Sequence, residues 1–239
     1  MEELPPFLQA AAHPLRWRLL GELSRSDRQV HELTALLGER QSLVSYHLGH
    51  LRRAELVRSR RSAADARDIY YRLDLTHCGA QLAAAGGALH PALRYVAPRP
   101  AVPAPTSVLF LCTGNSSRSQ MAEALLRERS NGTIAAHSAG SRPKPVHPDA
   151  VAAMAARGLD LSTARPKHLD EFAGRRFGHV ITLCDKVREV CPEFPGHPDT
   201  IHWSMPDPSA EPDGRPAFDR AADEIAERLD HFLHTCATT

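Results

Sequence analysis

A strand, a short polar loop and a helix are predicted in succession between residues 108 and 126, and this order constrains the chain more than any other stretch. Residues 108–111 are apolar and mostly β-forming, which predicts a strand buried on both faces. Small or polar residues then run from Cys112 to Arg118, and Ser119 is expected to begin an amphipathic helix. Loop N–H groups that converge on a helix N-terminus form a cradle for an anion. The stretch therefore predicts an oxyanion site.

Cys112 and Arg118 are the candidate catalytic residues of this loop. A guanidinium group can hold two oxygens of a tetrahedral anion at once. Cys112 would lie beneath that anion, so its thiolate form should be favoured. The remaining loop residues are expected to bind the oxyanion; they are Thr113, Gly114, Asn115, Ser116, Ser117 and Ser119.

The pattern Cys-x5-Arg-Ser resembles the loop of the low-molecular-weight protein tyrosine phosphatase fold. The fuller pattern, Cys-Thr-Gly-Asn-Ser-x-Arg-Ser, is similar to that of the arsenate reductases built on the same fold. The resemblance covers residues 107–233 and includes the Ser-Ala-Gly stretch at 138–140, Trp203 and Asp207. It implies that Asp207 protonates the departing oxygen. The competing interpretation is a buried structural cysteine at an ordinary turn.

A second informative pattern is the pair Cys184 and Cys191. If their segment were one helix, seven steps of 1.5 Å would place them roughly 10 Å apart, too far for a disulfide. A phosphatase has no use for this pair, whereas the resemblance to thioredoxin-coupled arsenate reductases implies a relay. In that relay the Cys112–Cys184 disulfide passes to Cys184–Cys191, and an external dithiol reduces it. Thioredoxin, mycoredoxin and glutaredoxin systems remain open as reductants, and neither a bound cofactor nor a metal is expected.

The family resemblance also suggests how one charge is balanced near the loop. Asn115, Glu123 and Ser138 match positions that bind potassium in some family members. The fourth position of that site, a carboxylate elsewhere, is Lys167 here. We therefore expect the ammonium group of Lys167 to replace the ion.

The back half alternates predicted strands and helices, which indicates an α/β doubly wound parallel four-stranded sheet. A ligand should then lie beyond the carboxyl ends of the strands. Strands are predicted at residues 108–111, 133–138, 179–183 and 200–203, and helices at 148–157 and 218–235. Five prolines in residues 90–105 predict an extended linker. We thus expect a first domain at 1–89, a linker at 90–106 and a second domain at 107–239.

The front half reads as a mainly α winged helix-turn-helix domain. Helices are predicted at residues 30–37 and 41–53, followed by a β-hairpin at 56–61 and 68–73. This segment resembles the winged-helix repressors of the ArsR family, which implies a homodimer on a DNA operator. Residues 1–100 carry a net charge of +4 and the rest −3, which agrees weakly with that role. Candidate DNA contacts are Gln41, Ser42, Ser45, Tyr46, His47, Arg60, Arg61 and Arg67.

Sensing of As(III) by this domain is not supported, because soft As(III) needs thiolates and the front half offers only Cys78. The N-terminus has no signal-peptide pattern, and no apolar run is long enough for a membrane span. Five cysteines then suggest a reducing, cytoplasmic location without a membrane partner.

Three functions remain open at this stage. The first is a regulator fused to an arsenate reductase. The second is the same regulator fused to a low-molecular-weight tyrosine phosphatase acting on a phosphate ester. The third is a repressor whose catalytically idle back domain senses arsenate or redox state.

Overall fold

A computed structural model describes residues 4–94, 106–190 and 200–236. The chain divides into two compact units, Met1–Pro98 and Arg99–Thr239. Each unit has its own buried apolar cluster, so each can be understood by itself.

The first unit is mainly helical and carries a small antiparallel sheet of strand order β1-β3-β2. Its elements are α1 (Pro6–Ala11), α2 (Pro14–Leu23), β1 (Arg28–Gln29), α3 (Val30–Leu37), α4 (Gln41–Arg53), β2 (Val57–Arg61), β3 (Ile69–Leu73) and α5 (Leu75–Leu89). Helices α3 and α4 are separated by three residues, which gives the predicted helix-turn-helix, and β2 and β3 form the predicted wing.

Local sequence explains where α3 begins and ends. Glu32 accepts a hydrogen bond from the backbone N–H of Gln29, which caps the N-terminus. Gly38 ends the helix in the left-handed region at φ 68°, where a side chain would be strained. Helix α4 then turns Val44, Leu48 and Leu51 into the core, and each is fully buried.

The second unit is built on a four-stranded parallel sheet of order β5-β4-β6-β7. Its elements are β4 (Thr106–Cys112), α6 (Arg118–Arg129), β5 (Ile134–Gly140), α7 (Pro148–Ala155), β6 (His179–Thr182), α8 (Asp185–Val190), β7 (Ile201–His202) and α9 (Arg215–Cys236). Short 3-10 turns span Leu169–Phe172 and Pro208–Ala210.

Strand β4 lies inside the sheet and is buried on both faces. Val108 and Phe110 pack on one side into the large cluster formed with α6, α7 and α9. Leu109 and Leu111 face the other side and join a smaller cluster that also contains Cys112. This arrangement explains the uninterrupted apolar run, and it delivers the end of β4 to the carboxyl edge of the sheet.

The predicted fold class is confirmed: a winged helix-turn-helix unit precedes an α/β unit with four parallel strands. Some boundaries differ. Helix α6 begins at Arg118 rather than Ser119, and the two-residue strand β1 was not predicted. Within the expected linker, Pro91–Leu93 form a 3-10 turn on α5, and residues 95–105 lie outside the described residues. Across the described ranges, every helix is too short or too polar to cross a lipid bilayer.

Candidate active site and nucleic-acid interface

Cys112 is the last residue of β4, and its side chain is only 2% exposed. The backbone N–H of Asn115 donates to its sulfur at 3.2 Å. The hydroxyl oxygen of Ser119, in the first turn of α6, lies 2.9 Å from the same sulfur. Two polar groups, one from the loop and one from the first turn of α6, therefore lie within hydrogen-bond distance of this sulfur. Ser119, predicted as an oxyanion ligand, therefore contacts the Cys112 sulfur itself.

An extended segment, residues 141–147, braces the loop through main-chain hydrogen bonds. Its three donors are the N–H groups of Arg142, Lys144 and His147, and the acceptors are in turn the carbonyls of Thr113, Gly114 and Ser116, at 2.8, 2.9 and 2.8 Å. Pro143 and Pro145 fall between these donors, where no N–H is needed, and they favour an extended backbone. We call residues 141–147 the bracing segment.

The bracing segment also determines where the loop amides point. In a planar trans peptide the carbonyl and the following N–H point in opposite directions. The N–H groups of Gly114, Asn115 and Ser117 therefore face the interior of the loop, as the contact from Asn115 to the Cys112 sulfur illustrates. Converging amides of this kind bind anions.

Asn115 adopts a positive φ of 44°, which is uncommon for a residue with a side chain. Its buried amide holds this conformation from both ends. The Nδ2 group donates to Ser119 Oγ at 2.9 Å and to Ser138 Oγ at 2.8 Å. The Oδ1 atom accepts from Gln120 Nε2 at 3.0 Å and from the backbone N–H of Lys167 at 2.8 Å. These four hydrogen bonds of the Asn115 side chain stabilise the conformation of the loop.

Arg118 is buried, and its guanidinium group contacts three backbone carbonyls and one carboxylate. Nη1 donates to the carbonyls of Leu183, Met205 and Pro206, at 3.4, 3.0 and 3.3 Å. Nη2 lies 3.2 Å from a carboxylate oxygen of Asp207. The remaining donor, Nε, is buried and has no hydrogen-bond partner. A buried unpaired donor is unfavourable, and an oxyanion bound in the loop would satisfy it.

Asp207 begins the turn Pro208–Ala210 and accepts hydrogen bonds from the N–H and hydroxyl of Ser209. Its side chain is 41% exposed, and its other oxygen faces Arg118. A carboxylate in this position, beside the Arg118 guanidinium, has the chemistry to exchange a proton with an oxyanion.

Cys184 follows β6 and is 3% exposed. Its sulfur lies 3.2 Å from the hydroxyl oxygen of Thr113, the residue next to Cys112. Cys112 and Cys184 belong to the same small apolar cluster, together with Val187 of α8. Two of the three predicted relay cysteines are therefore brought to one site. The third, Cys191, lies outside the described residues.

Lys167 reaches the position that the family resemblance assigns to an ion. Its ammonium nitrogen lies 3.3 Å from Glu123 Oε2, and that oxygen also accepts from Ser138 Oγ at 2.6 Å. The side chains of Lys167 and Glu123 are only 15% and 13% exposed. A cation of this chain thus lies beside the carboxylate without any added ion.

The predicted DNA-contacting face of α4 is exposed at four of its five positions: Gln41, Ser42, Ser45 and Tyr46. His47 is different, because its side chain is only 5% exposed and its ring lies 4.3 Å from that of His13. The prediction that His47 contacts DNA is therefore wrong. Counting helix positions did not reveal that the segment before α2 covers this ring.

The predicted arginines of the wing differ in their exposure and in their pairing. Arg61 and Arg67 are exposed, and Arg60 is partly buried. Arg67 forms a salt bridge with Asp65 at 2.6 Å, and this hydrogen bond lowers the pKa of the Asp65 carboxyl to about 2. The positive charge of Arg67 is consequently offset by a neighbour, whereas the Arg61 guanidinium donates to a backbone carbonyl, that of Ala66.

A buried polar network beside Cys184 was not predicted from the sequence. Asp185 and His202 are both fully buried, and Asp185 Oδ1 lies 3.2 Å from His202 Nε2. The only sequence signal was two charged or polar residues at the ends of apolar strands. Their partnership depends on the pairing of β6 with β7.

Comparison with known proteins finds a family match in each unit. Residues 107–239 match the family described as low molecular weight phosphotyrosine protein phosphatase. Residues 13–59 match the family described as bacterial regulatory protein, arsR family. These matches confirm the two resemblances that the sequence predicted.

Individual relatives match about half of the chain. An arsenate reductase of Bacillus anthracis (strain CDC 684 / NRRL 3495) is 37% identical over 129 residues, which cover 54% of this chain and 95% of the relative. An arsenate reductase of Brevibacillus brevis shows the same identity and coverage. A solved structure described as an arsenate reductase in oxidized state is 29% identical, with a TM-score of 0.50, and covers 55% of this chain and 98% of that one.

Proposed function

Because the chain belongs to the low molecular weight phosphotyrosine protein phosphatase family and carries an arsR-family segment ahead of that unit, we propose that it is a DNA-binding regulator fused to an arsenate reductase. One observation carries the choice of reaction. Two buried thiols, Cys112 and Cys184, meet at one anion loop, since Thr113 contacts the second sulfur and adjoins the first. Hydrolysis of a phosphate ester needs one thiol, whereas reduction of arsenate by this site needs two.

Substrate binding follows from the donors of the loop. Arsenate is a tetrahedral oxyanion, and the inward N–H groups together with Arg118 Nε would hold its oxygens. The Cys112 thiolate attacks arsenic, forming an As–S bond while one As–O bond breaks. The departing oxygen takes a proton from Asp207 and leaves as water.

The redox step uses the second sulfur. The Cys184 thiolate attacks the sulfur of Cys112, so an S–S bond forms and the As–S bond breaks. The electron pair of that bond stays on arsenic, which passes from As(V) to As(III) and leaves as arsenite. Two thiols lose two electrons, and arsenic gains two, which balances the step. The hydroxyl of Thr113, 3.2 Å from the Cys184 sulfur, is placed to donate to the thiolate.

Regeneration requires the third cysteine and an external reductant. Cys191 would attack Cys184, release the Cys112 thiolate and leave a Cys184–Cys191 disulfide, which a thioredoxin-like dithiol then reduces. If residues 185–190 stayed helical, the two sulfurs would remain too far apart, so this step requires the segment to unwind.

Exchange of Cys184 for serine separates this proposal from phosphatase activity. The purified full chain would be assayed for arsenite release with thioredoxin, thioredoxin reductase and NADPH, and for hydrolysis of p-nitrophenyl phosphate. Cys184→Ser should abolish arsenite release, because no second sulfur can accept the bond from Cys112. The matched control is Cys236→Ser, another buried cysteine of the same unit, at the end of α9.

A phosphatase is the second candidate, and Asp207 beside Arg118 favours it because the same pair would serve ester hydrolysis. Under that alternative, wild-type protein hydrolyses the ester and releases no arsenite. The Cys184→Ser variant would then match wild type in both assays. Arsenite release that survives the substitution would contradict the relay.

The first unit is proposed to bind its operator as a homodimer. Large apolar side chains of α1 and α5 or beside them are exposed in the isolated chain, among them Leu4, Leu8, Leu82 and Leu89. Such a surface is typical of an interface between copies. Sedimentation of the full chain tests the dimer, and loss of operator binding in Arg61→Ala tests the wing. A monomer at micromolar concentration would contradict the dimer.

The arsenite that the second unit releases is not expected to be sensed by Cys78. This residue is the only cysteine before the linker, and it is 6% exposed. Burial, together with the nearby charge of Asp74, raises the pKa of its thiol to about 11. A single protonated thiol is a poor ligand for As(III).

A further inference from the structure

Four polar side chains meet at the start of α8. His202 Nε2 lies 3.2 Å from Asp185 Oδ1, and its Nδ1 lies 2.7 Å from the hydroxyl oxygen of Thr182. Ser204 donates its hydroxyl to the same carboxylate oxygen at 2.8 Å. We call Thr182, Asp185, His202 and Ser204 the α8 anchor.

Burial of the four polar side chains of the α8 anchor is energetically unfavourable, so their presence calls for an explanation. Asp185 and His202 have no exposed side-chain surface, Thr182 is 1% exposed and Ser204 is 4% exposed. Burying a carboxylate destabilises a fold unless hydrogen bonds compensate, and an apolar replacement is often as stable. None of the four residues takes part in the anion binding, proton transfer or sulfur exchange described above.

The location of the α8 anchor suggests its use. Asp185 is the first residue of α8 and directly follows Cys184. Its carboxylate is tied to β7 and to Ser204, whereas the carbonyl of Cys184 accepts the N–H groups of Val187 and Arg188, both at 3.1 Å. One end of the segment is therefore fastened by side chains, and the next turn is held by helical hydrogen bonds.

We propose that the α8 anchor positions the Cys184 sulfur against Cys112 and confines unwinding of α8 to residues after Asp185. This inference rests on the proposed reductase function. Asp185 and His202 are positioning residues, because they act through the backbone of Cys184 and have no part in the chemical steps proposed above. Without the anchor, the start of α8 would shift together with the rest, and Cys184 would leave the Cys112 sulfur.

A single-turnover experiment tests this proposal without any external reductant. In a Cys191→Ser background, one equivalent of arsenate should yield one arsenite and a trapped Cys112–Cys184 disulfide, followed by mass spectrometry of the quenched protein. Adding Asp185→Asn should slow disulfide formation on the order of ten- to a hundredfold, the loss expected from a misplacement of about 1 Å. The arsenate concentration for half-maximal rate should not change, because Cys112 and its loop are intact.

The controls separate positioning from general destabilisation. Asp230→Asn removes an exposed carboxylate of α9 that pairs with Arg129, and it should leave the disulfide rate unchanged. Ser204→Ala removes one bond to Asp185 and should give an intermediate rate; it also serves if Asp185→Asn does not fold. A wild-type rate in folded Asp185→Asn and Ser204→Ala, or a rate loss matched by weaker arsenate binding, would overturn the proposal. Absence of any disulfide in the parent Cys191→Ser protein would instead overturn the reductase function itself.

Discussion

Replacement of Lys167 by alanine tests whether a side-chain ammonium has taken the place of an ion beside the loop. The variant would leave the Glu123 carboxylate, which is 13% exposed, without its buried cation. Ser138 Oγ and the exposed guanidinium of Arg127 would still donate to that carboxylate, at 2.6 and 2.7 Å. The Glu123 carboxylate would therefore keep these two hydrogen bonds while losing its contact with the ammonium group.

The size of the effect can be worked from the geometry. Unit charges 3.3 Å apart attract by about 5 kcal/mol at an effective dielectric constant of 20. Dehydration of both groups and the remaining contact from Arg127 cancel most of that, which leaves a net loss of about 1–2 kcal/mol. For a unit of this size, the loss corresponds to a decrease in Tm of about 3–6 °C.

Thermal unfolding in potassium chloride and in sodium chloride of equal ionic strength is the decisive assay. Lys167→Ala should melt below wild type in sodium and recover part of the difference in potassium, because the vacated position can take the ion. Wild type should show the same Tm in both salts. The matched control, Arg127→Ala, removes the other cation near Glu123 and should not introduce a preference for potassium. A rise in the wild-type Tm with potassium would refute the reasoning.

Two further outcomes are expected from the described contacts. Gly140→Ala would place a Cβ 2.6 Å from the carbonyl oxygen of Thr113, which is too close for both atoms to keep their positions. We therefore expect a higher KM for arsenate in steady-state assays, and an unchanged KM would contradict this expectation. Burial, followed by the charges of His13 and Arg16, lowers the pKa of His47 from 6.5. The stability that the neutral His47 ring contributes is therefore present above pH 6.5, and it is lost as the pH falls through the lowered pKa. Urea unfolding across pH 5 to 8 should show this loss in wild type and a flatter profile in His47→Gln.

Local pattern was sufficient for the elements that carry most of the site. The apolar run at 108–111 predicted the position of β4, which spans Thr106–Cys112, and the polar loop after it predicted the start of α6 to within one residue. Helix α4 was predicted at its observed bounds, Gln41–Arg53. In each case the decisive information lies within a dozen consecutive residues, through alternation, spacing and capping.

Contacts between distant residues could not be predicted in the same way. His47 has a polar side chain at a helix position that spacing alone leaves undecided, and its burial depends on His13, 34 positions earlier. The partnership of Asp185 with His202 depends on β7 pairing beside β6. Sequence pattern gives neither the order of parallel strands nor their register, so both contacts emerge only from tertiary structure.

The hydrogen bonds that the bracing segment donates to the loop come from its backbone N–H groups. Its side chains at 142 and 144 are exposed and take no part in those bonds. These two exposed side chains can therefore be exchanged while the amides of the loop stay where they are. Substitutions at positions 142 and 144 could therefore adapt the site to a different oxyanion or a bulkier ester without changing the backbone of the loop, provided that Pro143 and Pro145 keep the bracing segment extended.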